Sequence, residues 1–95
     1  MKKKVAIITG ASEGLGKAIS IKLASKKYIT VLASRDKKKL QNTSSDISKV
    51  NGEYFIIPTD VTSEKNVKTL FSKASKLGKI ELLINNAAVS YTHLT

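Results

Sequence analysis

Ninety-five residues with 41% hydrophobic content are enough for one small globular domain. With no cysteine and the single histidine His93, disulfides, thiolate metal sites and multi-histidine metal centres are excluded. The net charge of +10 comes from 17 basic residues among which Arg35 is the only arginine; lysine spread along every segment reads as solvated helix faces, not as a nucleic-acid surface, which would interleave guanidinium groups and aromatics.

The basic start Met1-Lys2-Lys3-Lys4 leads into an apolar run that stops at Thr9-Gly10. That run is too short for a signal-peptide core or a membrane span, so a cytoplasmic protein without a membrane partner is expected. Val5 to Ile8 suits a buried parallel strand. From Leu15 the spacing of Leu15, Ala18, Ile19 and Leu23 predicts a helix, with Lys17, Lys22 and Lys26 on its outer face. Ile29 to Ala33 is a second strand, rich in β-branched residues. Lys37 to about Lys49 reads as a polar helix with Leu40, Ile47 and Val50 as sparse apolar anchors. Tyr54 to Ile57 is a third strand, stopped by Pro58. Ser63 to Lys76 is a helix that Ser63 can cap, with Val67, Leu70, Phe71 and Ala74 on one face. Gly78 ends it, and Ile80 to Ile84 forms a fourth strand. Strict alternation implies right-handed βαβ crossovers. The expected fold is α/β, a doubly wound parallel sheet of which only the first half is present, in strand order 3-2-1-4.

Thr9-Gly10-Ala11-Ser12-Glu13-Gly14-Leu15-Gly16 joins the first strand to the first helix. Gly10 allows a sharp turn off the strand, Gly14 leaves room for a pyrophosphate against the backbone, and Gly16 permits close helix packing. The helix N-terminus then offers free N–H groups and partial positive charge to the phosphates. Such a turn between strand and helix is the mark of a Rossmann-type dinucleotide site.

The T-G-x-x-x-G-x-G spacing, followed in order by Ser34-Arg35, Asp60-Val61 and Asn85-Asn86-Ala87, resembles the short-chain dehydrogenase/reductase family. The resemblance covers Lys4 to Ala87. It implies cofactor-binding residues Thr9, Gly10, Ser12, Glu13, Gly14, Leu15, Gly16, Ser34, Arg35, Asp60, Val61, Asn86 and Ala87, with no metal. Asp60 and the Val61 backbone would lie beside the adenine, and Asn85 to Ala87 along the nicotinamide-ribose side. Where a carboxylate ending the second strand would bond the 2′-hydroxyl of NAD, this chain has Ser34 and then Arg35, suited to a 2′-phosphate. NADP(H) is therefore expected over NAD(H), against which stand the neighbouring Asp36 and Glu13 in the glycine turn. The resemblance further implies a small-molecule carbonyl or alcohol substrate and a homo-oligomer when intact.

The family's catalysis uses a serine and a Y-x-x-x-K pair. Tyr28, Tyr54 and Tyr91 are followed four residues later by Leu32, Pro58 and Thr95, so no catalytic residue is named, and the chain alone is expected to be inactive. Val89 to Thr95 match an in-frame translation of a transposon-end adapter used in sequencing libraries. The same junction explains Ala88 where the family pattern has glycine. The expected organisation is a partial dinucleotide-binding domain over 1–88 and a non-native tail over 89–95. The rival readings are a non-catalytic dinucleotide-binding sensor on the same fold and a basic nucleic-acid-binding protein.

Overall fold

The computed structural model describes residues 3–12 and 14–86. Glu13, Ala87 and the proposed tail lie outside them. The elements run β1 (Lys4–Thr9), α1 (Gly14–Ser25), β2 (Ile29–Ser34), α2 (Lys37–Lys49), β3 (Glu53–Pro58), α3 (Glu64–Ser75) and β4 (Lys79–Asn85). The strands form one parallel sheet in the order β3-β2-β1-β4, the predicted half of a doubly wound fold.

Successive strand residues point to opposite faces, so the sheet divides its apolar side chains between two cores. Ala6, Ile8 and Leu32 meet Ala24, Leu40 and Ile47 from α1 and α2. Val5, Ile7, Ile29 and Val31 meet Leu70 and Ala74 from α3. β1 and β2 are central and buried on both faces, which is why they are mostly apolar; the buried Thr30 in β2 donates its hydroxyl to the Glu53 carbonyl at 3.0 Å. Each Val, Leu or Ile side chain buried this fully stabilises the fold by about 1.5–3 kcal/mol.

The helices begin where capping chemistry permits. Asp36 caps α2 by accepting from the Lys39 N–H at 3.1 Å, and Ser63 caps α3 by accepting from the Asn66 N–H at 3.2 Å. The buried stripe of α2 is Leu40, Thr43, Ser44 and Ile47, a helical repeat whose polar half the apolar pattern overlooked. Val50, expected as an anchor, is instead the exposed C-cap.

The expected face of α1 needs a larger correction. Leu15 is 64% exposed and Ala18 is exposed too, while Gly16, Ser20 and Ala24 form the buried face. A helix seated this close to the sheet selects its smallest residues for contact, whatever their hydropathy. Ile21 and Leu23 pack only at the margin of the core.

Pro58 is the last residue of β3 rather than the first beyond it. The Thr59 N–H donates to the Ser34 carbonyl at 2.8 Å, so by alternation the Pro58 nitrogen faces the open side of this edge strand, where no ladder bond is lost.

Ile80, Leu82 and Ile84 on β4 are all half-buried. A register shift opposite Val5 and Ala6 skips Glu81, so Ile80 joins the α3 core while Leu82 and Ile84 join the other. The exposed apolar residue is Leu83, at 48%, and Phe55 at 44% lies on the same α3 face at the opposite edge. Among the described residues α3 is the one helix on that face, and it packs against β1 and β4. The isolated chain is expected to self-associate, and Leu83→Lys to reduce this. Light scattering that shows the unsubstituted chain to be a monomer would refute the expectation.

Candidate functional site

The C-terminal ends of the four parallel strands gather most of the residues singled out in the sequence: Thr9-Gly10 at the end of β1, Ser34-Arg35 at the end of β2, Asp60-Val61 just beyond β3 and Asn85-Asn86 at the end of β4. Crossover helices return the chain to the opposite edge each time, so all four strand ends open on the same side.

The glycine turn has the backbone its sequence demands. Gly10 has φ 62° and Gly14 has φ 61°, a left-handed conformation that costs other residues roughly 1–2 kcal/mol. Nothing lies within 4 Å of where a Gly14 Cβ would stand, so the backbone there is open to approach. Gly16 is the reverse case. A Cβ on it would collide with the Gly10 carbonyl and come within 2.8 Å of Asn86 Nδ2.

Hydrogen bonds fix this arrangement. The Asn86 Nδ2 amide donates to the Gly10 carbonyl at 3.1 Å, and the Thr9 hydroxyl donates to Asn85 Oδ1 at 2.9 Å. The asparagine pair thus ties the end of β4 to the end of β1. Ser12 is half-buried, and the buried Thr43 hydroxyl donates to the Ala11 carbonyl at 2.9 Å from behind the turn. Thr43 is absent from the sequence-derived site. Its one signal is a polar residue on the buried stripe of α2.

At the end of β2, Arg35 is 70% exposed and its Nη2 donates to Asp60 Oδ1 at 2.9 Å. The Asp36 carboxylate is turned into α2 as its cap, and the Asp36 N–H donates to the Ser34 hydroxyl at 3.4 Å. Asp60 does not cap α3, a role Ser63 takes. Its Oδ1 instead accepts from both the hydroxyl and the N–H of Thr62, at 2.6 and 2.9 Å. Gly10, Ser34, Arg35, Thr59 and Val61 line a cleft of roughly 200 Å³ between these ends. Among the described residues no group of acidic or histidine side chains is arranged to hold a metal, and no helix is long and apolar enough to cross a membrane.

A strand-to-helix glycine turn at the C-terminal edge of a half-Rossmann sheet defines a dinucleotide-binding class of fold. The short chain dehydrogenase family model matches residues 4–95, and the chain belongs to that family. It is 39% identical over 85 residues to an uncharacterised oxidoreductase of Staphylococcus aureus strain USA300, covering 88% of this chain and 36% of that protein. A hydroxysteroid dehydrogenase from Escherichia coli superposes with a TM-score of 0.82 at 35% identity, over 88% of this chain and 36% of that one. A metagenomic short-chain oxidoreductase in complex with NADP superposes equally well, with a TM-score of 0.82 at 31% identity, over 90% of this chain and 39% of that one. The chain thus spans little more than a third of the length of these relatives.

The Asp60 carboxyl is held down at about 2, first by the Thr62 hydroxyl and N–H and then by Arg35. A depressed carboxyl contributes stability that is complete above the ordinary carboxylate range and is lost as pH falls through about 2. Between pH 5 and pH 8 the Asp60 carboxylate therefore keeps its charge. Carboxyl-carbon NMR titration of the full-length protein is expected to place Asp60 near 2, and Thr62→Val and Arg35→Ala each to raise that midpoint.

Proposed function

We propose that the full-length protein is an NADP(H)-preferring oxidoreductase of the short-chain type, and that this segment seats the adenosine and pyrophosphate of its cofactor. In this reading the protein exchanges a hydride between the nicotinamide and a small-molecule carbonyl or alcohol, acting as a homo-oligomer in the cytoplasm. The observation that carries the proposal is the pairing of two features at adjoining strand ends. A glycine turn with open space over Gly14 stands beside a guanidinium at Arg35, the end of β2 where an NAD-selective site would present a carboxylate.

The residues divide by chemistry. Backbone N–H groups of Ser12 and Glu13, with those of Gly14, Leu15 and Gly16 in the first turn of α1, would meet the pyrophosphate, with Gly10 making the turn off β1. Ser34 and Arg35 would hold the 2′-phosphate. The Ser34 hydroxyl accepts from Asp36 N–H and so keeps its own proton to donate. The Asp36 carboxylate, the nearest rival for a 2′-hydroxyl, is occupied at the α2 cap. Asp60 and Val61 would border the adenine, while Thr9, Asn86 and Ala87 would support the nicotinamide-ribose side. The bound nicotinamide supplies the hydride. The proton chemistry falls to residues outside this segment, which holds no Y-x-x-x-K.

Sequencing the intact gene is expected to read glycine at position 88, then a serine and a Y-x-x-x-K further on. The same seven-residue tail in an independent clone would refute its adapter origin. The cofactor assignment is tested by Ser34→Asp with Arg35→Ile in the full-length enzyme. Loss of a charge-assisted hydrogen bond is worth roughly 1.5–3 kcal/mol, about tenfold to a hundredfold in affinity. The ratio of kcat/KM for NADPH to that for NADH should fall by at least this much, measured at one ionic strength. An unsubstituted enzyme that prefers NADH, or a ratio that the double substitution leaves unmoved, would overturn the assignment.

A further inference from the structure

Thr43 is fully buried on α2, and its hydroxyl leaves the helix it belongs to. Ser and Thr hydroxyls in helices ordinarily bond back to a carbonyl one turn earlier. The other described helix hydroxyls with a hydrogen bond do so here: Ser20 to Gly16, Ser25 to Lys22, Ser44 to Gln41, Thr69 to Lys65 and Ser75 to Ser72. Thr43 instead reaches the glycine turn, 2.9 Å from the Ala11 carbonyl oxygen and 3.5 Å from that of Ser12.

The consequence follows from the planarity of the peptide bond. In a trans peptide the C=O of one residue and the N–H of the next point in opposite directions. Holding the Ala11 oxygen back toward α2 therefore turns the Ser12 N–H toward the open side of the turn. Two neighbouring groups are fixed as well: the Gly10 carbonyl by Asn86 at 3.1 Å and the Ala11 N–H by the Ala33 carbonyl at 3.5 Å. The backbone oxygens of Gly10 and Ala11 are thus engaged by Asn86 and Thr43, and the N–H groups of the first turn of α1, which have no carbonyl of their own helix to meet, are the groups an anion would use.

We propose that Thr43 is a positioning residue for anion binding at the glycine turn, acting through the Ala11–Ser12 peptide. The proposal rests on the reading of this turn as the pyrophosphate seat. Without the hydroxyl, the Ala11 carbonyl loses its partner inside the core. It regains one by rotating toward the open side, which places a negative dipole end where the phosphates bind and withdraws the Ser12 N–H. Both changes weaken an anion, and neither touches the reacting atoms.

The test uses the full-length protein with three variants. Thr43→Val keeps the shape and removes the hydroxyl, Thr43→Ser keeps the hydroxyl, and Thr43→Ala serves as a second hydroxyl-free variant should valine not fold. Direct titration with NADPH and with ADP-ribose, which carries the same pyrophosphate, is expected to show Kd raised about fivefold to tenfold in the hydroxyl-free variant. Thr43→Ser should stay within twofold of the unsubstituted protein. At saturating NADPH, kcat of the hydroxyl-free variant should also stay within twofold, so the effect falls on KM. A lowered melting temperature with unchanged Kd would make Thr43 a packing residue and overturn the proposal, as would serine binding as weakly as valine. If the unsubstituted protein binds neither NADPH nor NADH, the functional reading fails; if it binds and valine changes nothing, this inference alone fails.

Discussion

The close approach of α1 to the end of β1 is the constraint on which the remaining structure depends. With hydrogen alone on the Gly16 α-carbon, the helix can rest against the Gly10 carbonyl and the Asn86 amide. That contact sets the depth of α1 on the sheet, and the depth decides which side chains the helix buries. Gly16, Ser20 and Ala24 fit between helix and sheet; Leu15 does not. The same contact aims the helix N-terminus across the strand ends, where an anion would meet its free N–H groups.

Around that contact the polar groups are arranged by reach. Asn86 and Thr9 join β4 to β1, the Thr59 N–H joins β3 to β2, and Thr43 joins α2 to the turn. These bonds lie at the strand ends or on the buried face of α2. Each connects segments distant in the chain, so the rim of the sheet is held as a unit. Among the described residues no buried side-chain nitrogen or oxygen lacks a partner, which is what a stable fold requires of polar groups withdrawn from water.

The high positive charge belongs to the surface. Lys3 pairs with Glu53, Lys17 and Lys49 with Asp46, and Lys68 with Glu64, all at exposed or partly exposed positions. Pairs of this kind contribute at most about 1 kcal/mol each and are screened by salt. The Arg35–Asp60 pair differs in place rather than in strength. It bridges neighbouring strand ends at the mouth of the cleft, so the guanidinium that would receive a 2′-phosphate starts out balanced by a carboxylate.

Element order, parallel topology and the glycine turn were legible in the sequence because each rests on local chemistry. Apolar runs of strand length, caps at Asp36 and Ser63, and glycines at positions needing φ above zero announce themselves within a few residues. The gathering of Thr9, Ser34, Asp60 and Asn86 followed from topology, since parallel strands joined by right-handed crossovers present their C-terminal ends together. What only the tertiary structure decided concerns contacts between distant segments. Small residues form the inner face of α1 because the sheet lies close beneath it, and hydropathy carries no measure of that distance. The shift at Glu81 sends Ile80 and Leu82 to different cores, which depends on the register against β1. Thr43 looked like an ordinary polar residue on a helix. Its partner stands 32 residues away in the chain, and only folding brings the hydroxyl to the carbonyl it holds.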